Sequence, residues 1–271
     1  MQEGDGDIPF EIKSQKGDNG MATATKKTEL VEIKPVDIRR VKVRIYGDSP
    51  LITHKWSEKA KKEIRDKELG LLPKGKARPI RKPIEEAVDS LYWVRAYPSK
   101  EEIDAKGEEF LKTCHIEQTD VSSLFHDGYV LGFPAVALKL AALAAAYRKG
   151  WIENMVSVKG EFHIEGCDDD PEVEEALLEM RFVRVHSKSI TPVFREDNVK
   201  VGMGSADLRY RAQINGWYAD VIVAYDANGK YTLNHILNFL NAGGFACGIG
   251  EWRTERDGDW GNFHVEEIPE K

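Results

Sequence analysis

Ile38-Arg39-Arg40-Val41-Lys42-Val43-Arg44-Ile45-Tyr46 decides how the rest of the chain is read. Its period is two: Val41, Val43 and Ile45 fall on one side, and Arg40, Lys42, Arg44 and Tyr46 on the other. The pattern predicts a strand with one core face and, opposite it, a cationic row that ends in an aromatic ring. Lysine and arginine are depleted from strands, so three in alternation point to a face that meets a polyanion. Plain solvation of a surface strand is the simpler explanation and stays open.

Outward from this strand, Ser57 caps a predicted helix reaching about Leu69, and Pro73 to Pro83 reads as an irregular loop carrying Lys74, Lys76, Arg78, Arg81 and Lys82. Val136 to Lys149 reads as a buried helix, apolar on most sides, closed by Arg148-Lys149-Gly150. Alternation over Val158 to Ile164 predicts a second strand. Arg181 to Ile214 reads as an extended, hairpin-like basic excursion that includes Arg209 and Arg211, with Gly202-Met203-Gly204 near its tip. Trp217 to Tyr225 is a strand turned by Asp226-Ala227-Asn228-Gly229. Thr232 caps a helix with Leu233, Ile236, Leu237 and Leu240 at core spacing. A glycine-rich turn at Gly243-Gly244 through Gly250, a loop with Trp252, Arg253 and Arg256, and a last strand over Trp260 to Val265 close the chain.

Without its two excursions, the order is strand, helix, strand, strand, helix, strand. That is an α+β order of the ferredoxin-like or RNA-recognition-motif (RRM) kind: an antiparallel sheet with two helices on one face and the other face open. The expected organisation is a tail over 1–35 and one domain over 36–271. Long insertions are expected at about 47–131, finger-like, and 166–216, thumb-like.

The chain has 271 residues and a net charge of −7, which at first disfavours a nucleic-acid partner. The charge is unevenly spread. Arg39 to Lys82 holds 15 Lys or Arg against 5 Asp or Glu, whereas Glu165 to Glu179 holds eight acids and no base. Such asymmetry predicts a polyanion-binding face with the acidic run on the far side. No apolar run reaches the roughly 18 residues of a membrane span. The N-terminus lacks a signal-peptide pattern, and Cys114, Cys167 and Cys247 stand apart in odd number, so reduced thiols in the cytoplasm of a bacterial host cell are expected.

Two resemblances add to this reading. Gly132-Phe133-Pro134-Ala135-Val136-Ala137-Leu138-Lys139 and the segment Gly243-Gly244-Phe245 through Gly261-Asn262-Phe263-His264-Val265 resemble the loop-and-helix and glycine-rich closing segments of the RAMP superfamily of CRISPR proteins. Within it, the chain is most similar to the repeating subunits that coat guide RNA. The resemblance implies a recognition-motif palm, an insertion after the first strand, a thumb and assembly along RNA; a phage-encoded relative fits it equally. Separately, Gly4-Asp5-Gly6-Asp7-Ile8-Pro9-Phe10 is similar to the acidic tip of bacterial single-strand-binding proteins.

The expectation is a noncatalytic protein that binds single-stranded RNA or DNA, with no cofactor or metal and no membrane partner, and that forms a homo-oligomer or filament. Arg40, Lys42, Arg44, Lys74, Lys76, Arg78, Arg81, Lys82, Arg209 and Arg211 are its candidate phosphate contacts. Tyr46 and Trp252 would stack on bases, and Arg253 and Arg256 would hold the backbone at the glycine turn. The alternatives are a phage structural or decoy protein that self-assembles, and a RAMP-type endoribonuclease using His54, His126 or His264. Seven histidines without metal spacing are more simply structural, and Asp168-Asp169-Asp170 before Pro171 reads as a solvated turn. No phosphate loop, nucleophile elbow or dinucleotide fingerprint is present.

Overall fold

The computed structural model describes residues 35–56, 58–71, 80–188, 191–201 and 205–267. Lys74, Lys76 and Arg78, the helix cap Ser57, the tip at 202–204 and the acidic segment at 4–10 lie outside the described residues. The boundary between the two units of the chain falls at Pro35/Val36.

The period-two stretch forms β1 (Ile38–Gly47), followed by β2 (Leu51–Thr53), α1 (Glu58–Glu68), α2 (Pro83–Asp89), β3 (Tyr92–Arg95) and α3 (Lys100–Thr113). Then come β4 (Val130–Pro134), α4 (Ala135–Arg148), β5 (Phe162–Gly166), α5 (Pro171–Met180) and β6 (Phe182–Ser187). The chain continues through β7 (Val193–Val201), β8 (Ser205–Ile214), β9 (Trp217–Asp226), α6 (Leu233–Ala246) and β10 (Phe263–Glu267). The molecule is α+β, with antiparallel strand pairing in both of its sheets.

The main sheet runs β10-β1-β9-β6-β4-β3, with β5 also paired to β9. β1 lies one strand in from the edge, flanked by β9 and by the edge strand β10. Its odd positions Val43 and Ile45 are buried with Ala219, Val221 and Val223 of β9, against Leu138 and Leu143 of α4 and Ile236 and Leu240 of α6. Each large side chain of this kind stabilises the fold by about 1.5–3 kcal/mol when fully buried. On the opposite face, at the other end of the sheet, α5 lays Val173 and Leu177 against Val130, Val94 and Phe182. The opposite face of β10-β1-β9 carries Arg40, Lys42, Arg44 and Tyr46, which are exposed or half-buried.

Several expectations need correction. Gly243 and Gly244 are not a turn; they continue α6, capped at its start by Thr232 and His235. A Cβ at Gly243 would stand 2.6 Å from backbone atoms of Ala141 and Ala142, and one at Gly244 would stand 1.8 Å from the Phe263 carbonyl oxygen. The pair therefore lets α6 lie directly on α4 and β10. The α4 helix is not buried all round, since Val136, Leu140 and Tyr147 are exposed. The second strand begins at Phe162 rather than Val158, and the last at Phe263 rather than Trp260. Within the expected excursions, β3 and β6 join the main sheet beside β4 (Val130–Pro134), which begins at the end of the first excursion, and Pro83 ends the Pro-rich loop as the first residue of α2.

The second sheet, β2-β8-β7, holds the hairpin β7-β8. Its buried Asp197 lies between Arg195 and Arg211, whose guanidinium also donates to His54 Nδ1 at 3.1 Å and reaches Glu251 at 3.3 Å. The closing loop packs here: the Glu251 N–H donates to the Ile52 carbonyl, the Gly261 N–H to that of Pro50, and Arg195 lies over the Trp260 ring at 4.9 Å.

Candidate functional site

Register brings four rings into one row across the open face. Tyr46 of β1 stands opposite His264 of β10 and Tyr218 of β9, and Tyr218 stands opposite His186 of β6. The ring centroids follow at 5.8 Å for His264 to Tyr46, 6.2 Å for Tyr46 to Tyr218, and 4.7 Å for Tyr218 to His186, the last pair only 8° from parallel. Two cations lie over the row: the Arg44 guanidinium 4.7 Å from the Tyr218 centroid, and Lys188 Nζ 5.3 Å from that of Tyr46. A recess of about 330 Å³ opens beside them, lined among others by Tyr46, Lys188, Trp217, His264 and Glu266. On the core side of β1, Gly47 lets the buried Trp217 indole pack close, since any Cβ there would stand 2.2 Å from it. Planar rings interleaved with cations can stack on a base or another flat aromatic group while holding a neighbouring anion.

The cationic row of β1 is not bare. Arg40 pairs with Glu165 at 3.1 Å, Lys42 with Asp169 at 3.9 Å, and Arg44 makes two hydrogen bonds to Asp220 at 2.6 and 2.8 Å. The acidic run was expected on the far side; instead, the β5 end and the turn before α5 bring Glu165 and Asp169 onto this face. Burial tends to raise Asp220, but the Arg44 guanidinium outweighs it and holds the carboxyl below its ordinary range. Asp168 is held low in the same way: burial is opposed by Arg184 and by the Asp170 N–H. Asp170 caps α5, so the triple-aspartate turn is spent on structure.

The two imidazoles at the ends of the aromatic row differ. Burial, followed by the charge of Arg184, pushes His186 below its ordinary value. For His264 burial also pulls down, but hydrogen bonds to the carboxylates of Asp48, at 2.6 Å, and Glu266 prevail and raise it. His54 accepts from Arg211 and is lowered, first by burial and then by that cation, while His126 pairs with Glu102. His54, His126 and His264 thus have separate structural partners.

The remaining predicted contacts are dispersed. Arg81 pairs with Glu86 and Asp207, and Lys82 with Glu85 and Asp104. Arg209 pairs with Asp207 at 3.2 Å. Arg211 is 5% exposed and belongs to the buried Asp197 network, so it is withdrawn as a phosphate contact. Arg253 is held by Glu255 and the Gly250 carbonyl, and Arg256 is exposed. Trp252 sits at φ 52°, and its indole N–H is buried without a hydrogen-bond partner among the described residues. The closing loop therefore faces the second sheet instead of extending the row of rings. Sequence reasoning found Tyr46 but missed Tyr218, His186, His264 as a stacking residue, and Lys188. Strand alternation marks the outward positions; only cross-strand register shows that they meet.

Comparison with protein-family models finds no match for this sequence, and comparison with curated proteins finds none either. No helix among the described residues is long and apolar enough to cross a membrane.

Proposed function

We propose that this chain is a noncatalytic protein that binds single-stranded nucleic acid on the open face of its main sheet and assembles along the strand. The observation that carries the reading is the row His264-Tyr46-Tyr218-His186 on neighbouring strands, with Arg44 and Lys188 over its rings. Stacking on such rings contributes about 1–3 kcal/mol per base and tolerates any sequence. The strand order β10-β1-β9-β5, with α4 after β1 and α6 after β9, supports a ferredoxin-like, recognition-motif core. That core in turn supports the RAMP-like reading and its finger and thumb insertions.

Because Arg40, Lys42 and Arg44 are matched by carboxylates, binding on this face depends more on stacking than on counterion release. The more exposed pairs of Arg40 and Lys42 contribute at most about 1 kcal/mol, so a phosphate can replace their carboxylate partners at small cost, whereas Arg44 stays bound to the half-buried Asp220. The test is fluorescence anisotropy with labelled single-stranded RNA and DNA at two salt concentrations. Expected is binding to at least one polymer with a shallow salt dependence, weakened by Tyr46→Ala and Tyr218→Ala. A folded protein that binds neither polymer at low salt contradicts the proposal. One observation favours a second reading, a self-assembling phage protein that works without nucleic acid: the exposed apolar stripe on α4.

A further inference from the structure

We infer that the outer edge of β7 is a docking groove for an extended, basic peptide segment of another protein, which adds to the second sheet as a further strand. The site is separate from the aromatic row, and the inference does not depend on the nucleic-acid reading. β7 ends the sheet β2-β8-β7, so only one of its sides is paired with a strand. Register shows which groups are left over. Phe194 stands opposite Ala212 of β8, and Ala212 is turned away from β7: its N–H donates to Ser90 Oγ at 2.8 Å and its carbonyl accepts from Thr53 Oγ1 at 3.4 Å. Phe194 is therefore in a non-hydrogen-bonded pair, with its own N–H and carbonyl directed outward. Two residues on, the Glu196 N–H points the same way and donates to the Glu117 carboxylate at 3.3 Å.

The edge is thus capped at Glu196 and open at Phe194, whose N–H and carbonyl have no hydrogen bond to another described residue. A groove of about 540 Å³ lies against it, between residues 191–196 and the single-turn helices Ile116–Gln118 and Ser122–Leu124. That volume falls in the roughly 300–1,000 Å³ range of ligand sites. Ile116, Val121 and Phe194 give the groove a buried apolar lining, and Val193 stands 43% exposed beside them. An unpaired strand edge next to such a groove is the geometry by which a sheet takes up an extended peptide: main-chain hydrogen bonds supply affinity, and alternate side chains supply specificity.

Charge selects the occupant. Glu117, Asp120 and Glu196 line the groove and are exposed. The one cation among the lining residues, Arg195, is already engaged, with Asp197 at 2.7 and 2.9 Å and with the Gln213 side chain at 2.7 Å. The carboxylates therefore set the sign of the field, which attracts lysine or arginine and repels a nucleic-acid backbone. They also disfavour β7 of a second copy, because edge-to-edge pairing would bring like charges together. A segment that alternates apolar and basic side chains matches the groove on both counts, apolar positions toward its lining and basic ones toward its carboxylates.

The experiment is amide hydrogen exchange by NMR on the whole chain, with and without a short capped peptide of alternating lysine and valine. In the free protein the Phe194 amide should exchange faster than those of Val193 and Arg195, which pair with β8. Saturating peptide should slow Phe194 by at least roughly tenfold. Two control peptides separate strand pairing from charge: glutamate in place of lysine, and methylated valine amides at unchanged charge. Each should bind at least roughly tenfold more weakly. On the protein side, Glu117→Gln with Asp120→Asn keeps the local hydrogen bonds and removes the charge, and should weaken the lysine peptide. Ser122→Trp, which fills the groove, should abolish binding, with circular dichroism checking that each variant is folded. Tyr46→Ala should leave peptide binding unchanged, which keeps this test distinct from that of the nucleic-acid face. The inference is overturned by a folded chain that binds no lysine peptide, by a Phe194 amide already protected in the free protein, or by equal affinity for the methylated peptide. Self-association of the chain through β7 overturns it too.

Discussion

One methyl group at position 243 distinguishes a helix that can touch its neighbour from one that cannot. In an open helical site, Gly→Ala stabilises by about 0.5–1 kcal/mol through the unfolded chain, and Gly107 on α3, with nothing within 4 Å of a new Cβ, is such a site. At Gly243 the same change places a carbon against α4 backbone, and overpacking of this kind costs typically about 1–3 kcal/mol. Urea unfolding should therefore move the midpoint up for Gly107→Ala and down for Gly243→Ala. In the sequence, Gly243-Gly244 looks like a turn because glycine punctuates loops more often than it serves close helix contacts. The same scale governs Tyr46. Replacing it by Ala should weaken single-strand binding by about 1–3 kcal/mol, measured by anisotropy, while Tyr46→Phe should keep most of the affinity.

At the scale of elements, the open face is a set of paired rows with opposite tendencies at its two ends. His186 has a folded pKa below the ordinary 6.5, so its contribution to stability is complete above 6.5 and is lost as the pH falls below that value. His264 has a raised pKa; its contribution is complete below 6.5 and is lost as the pH rises through the folded value. An NMR titration of the imidazole protons should find His186 titrating below 6.5 and His264 above it, with Asp48→Asn bringing His264 down. If both titrate together, the two environments are not those described. The alternation of β1 was legible in the sequence because a period of two leaves its mark residue by residue. The facing carboxylates Glu165, Asp169 and Asp220 were not, since their approach to β1 depends on β5 and β9 and on the turn before α5.

For the whole molecule, the α+β order was readable from spacing and turns, but the division of labour between the two sheets was not. Arg209 and Arg211 look alike in sequence, two residues apart on one strand and therefore on one face. Their difference comes from Asp197, His54 and Glu251, which three distant segments bring to Arg211. Removing one partner of a buried pair costs about 3–5 kcal/mol, whereas an exposed pair is worth at most about 1. Thermal unfolding should accordingly show a large loss for Arg211→Ala and little change for Arg209→Ala. Because that network ties β7-β8 to the closing loop, Arg211→Ala should also expose the loop to proteolysis first.

The most direct test of the central claim is ultraviolet crosslinking of a short single-stranded oligonucleotide to the protein, followed by peptide mass spectrometry. Binding on the aromatic row predicts adducts on β1 and β9 at Tyr46 and Tyr218, lost when either is replaced by Ala. Adducts confined to the helical face or the closing loop, or no adducts from a folded protein at low salt, would contradict it.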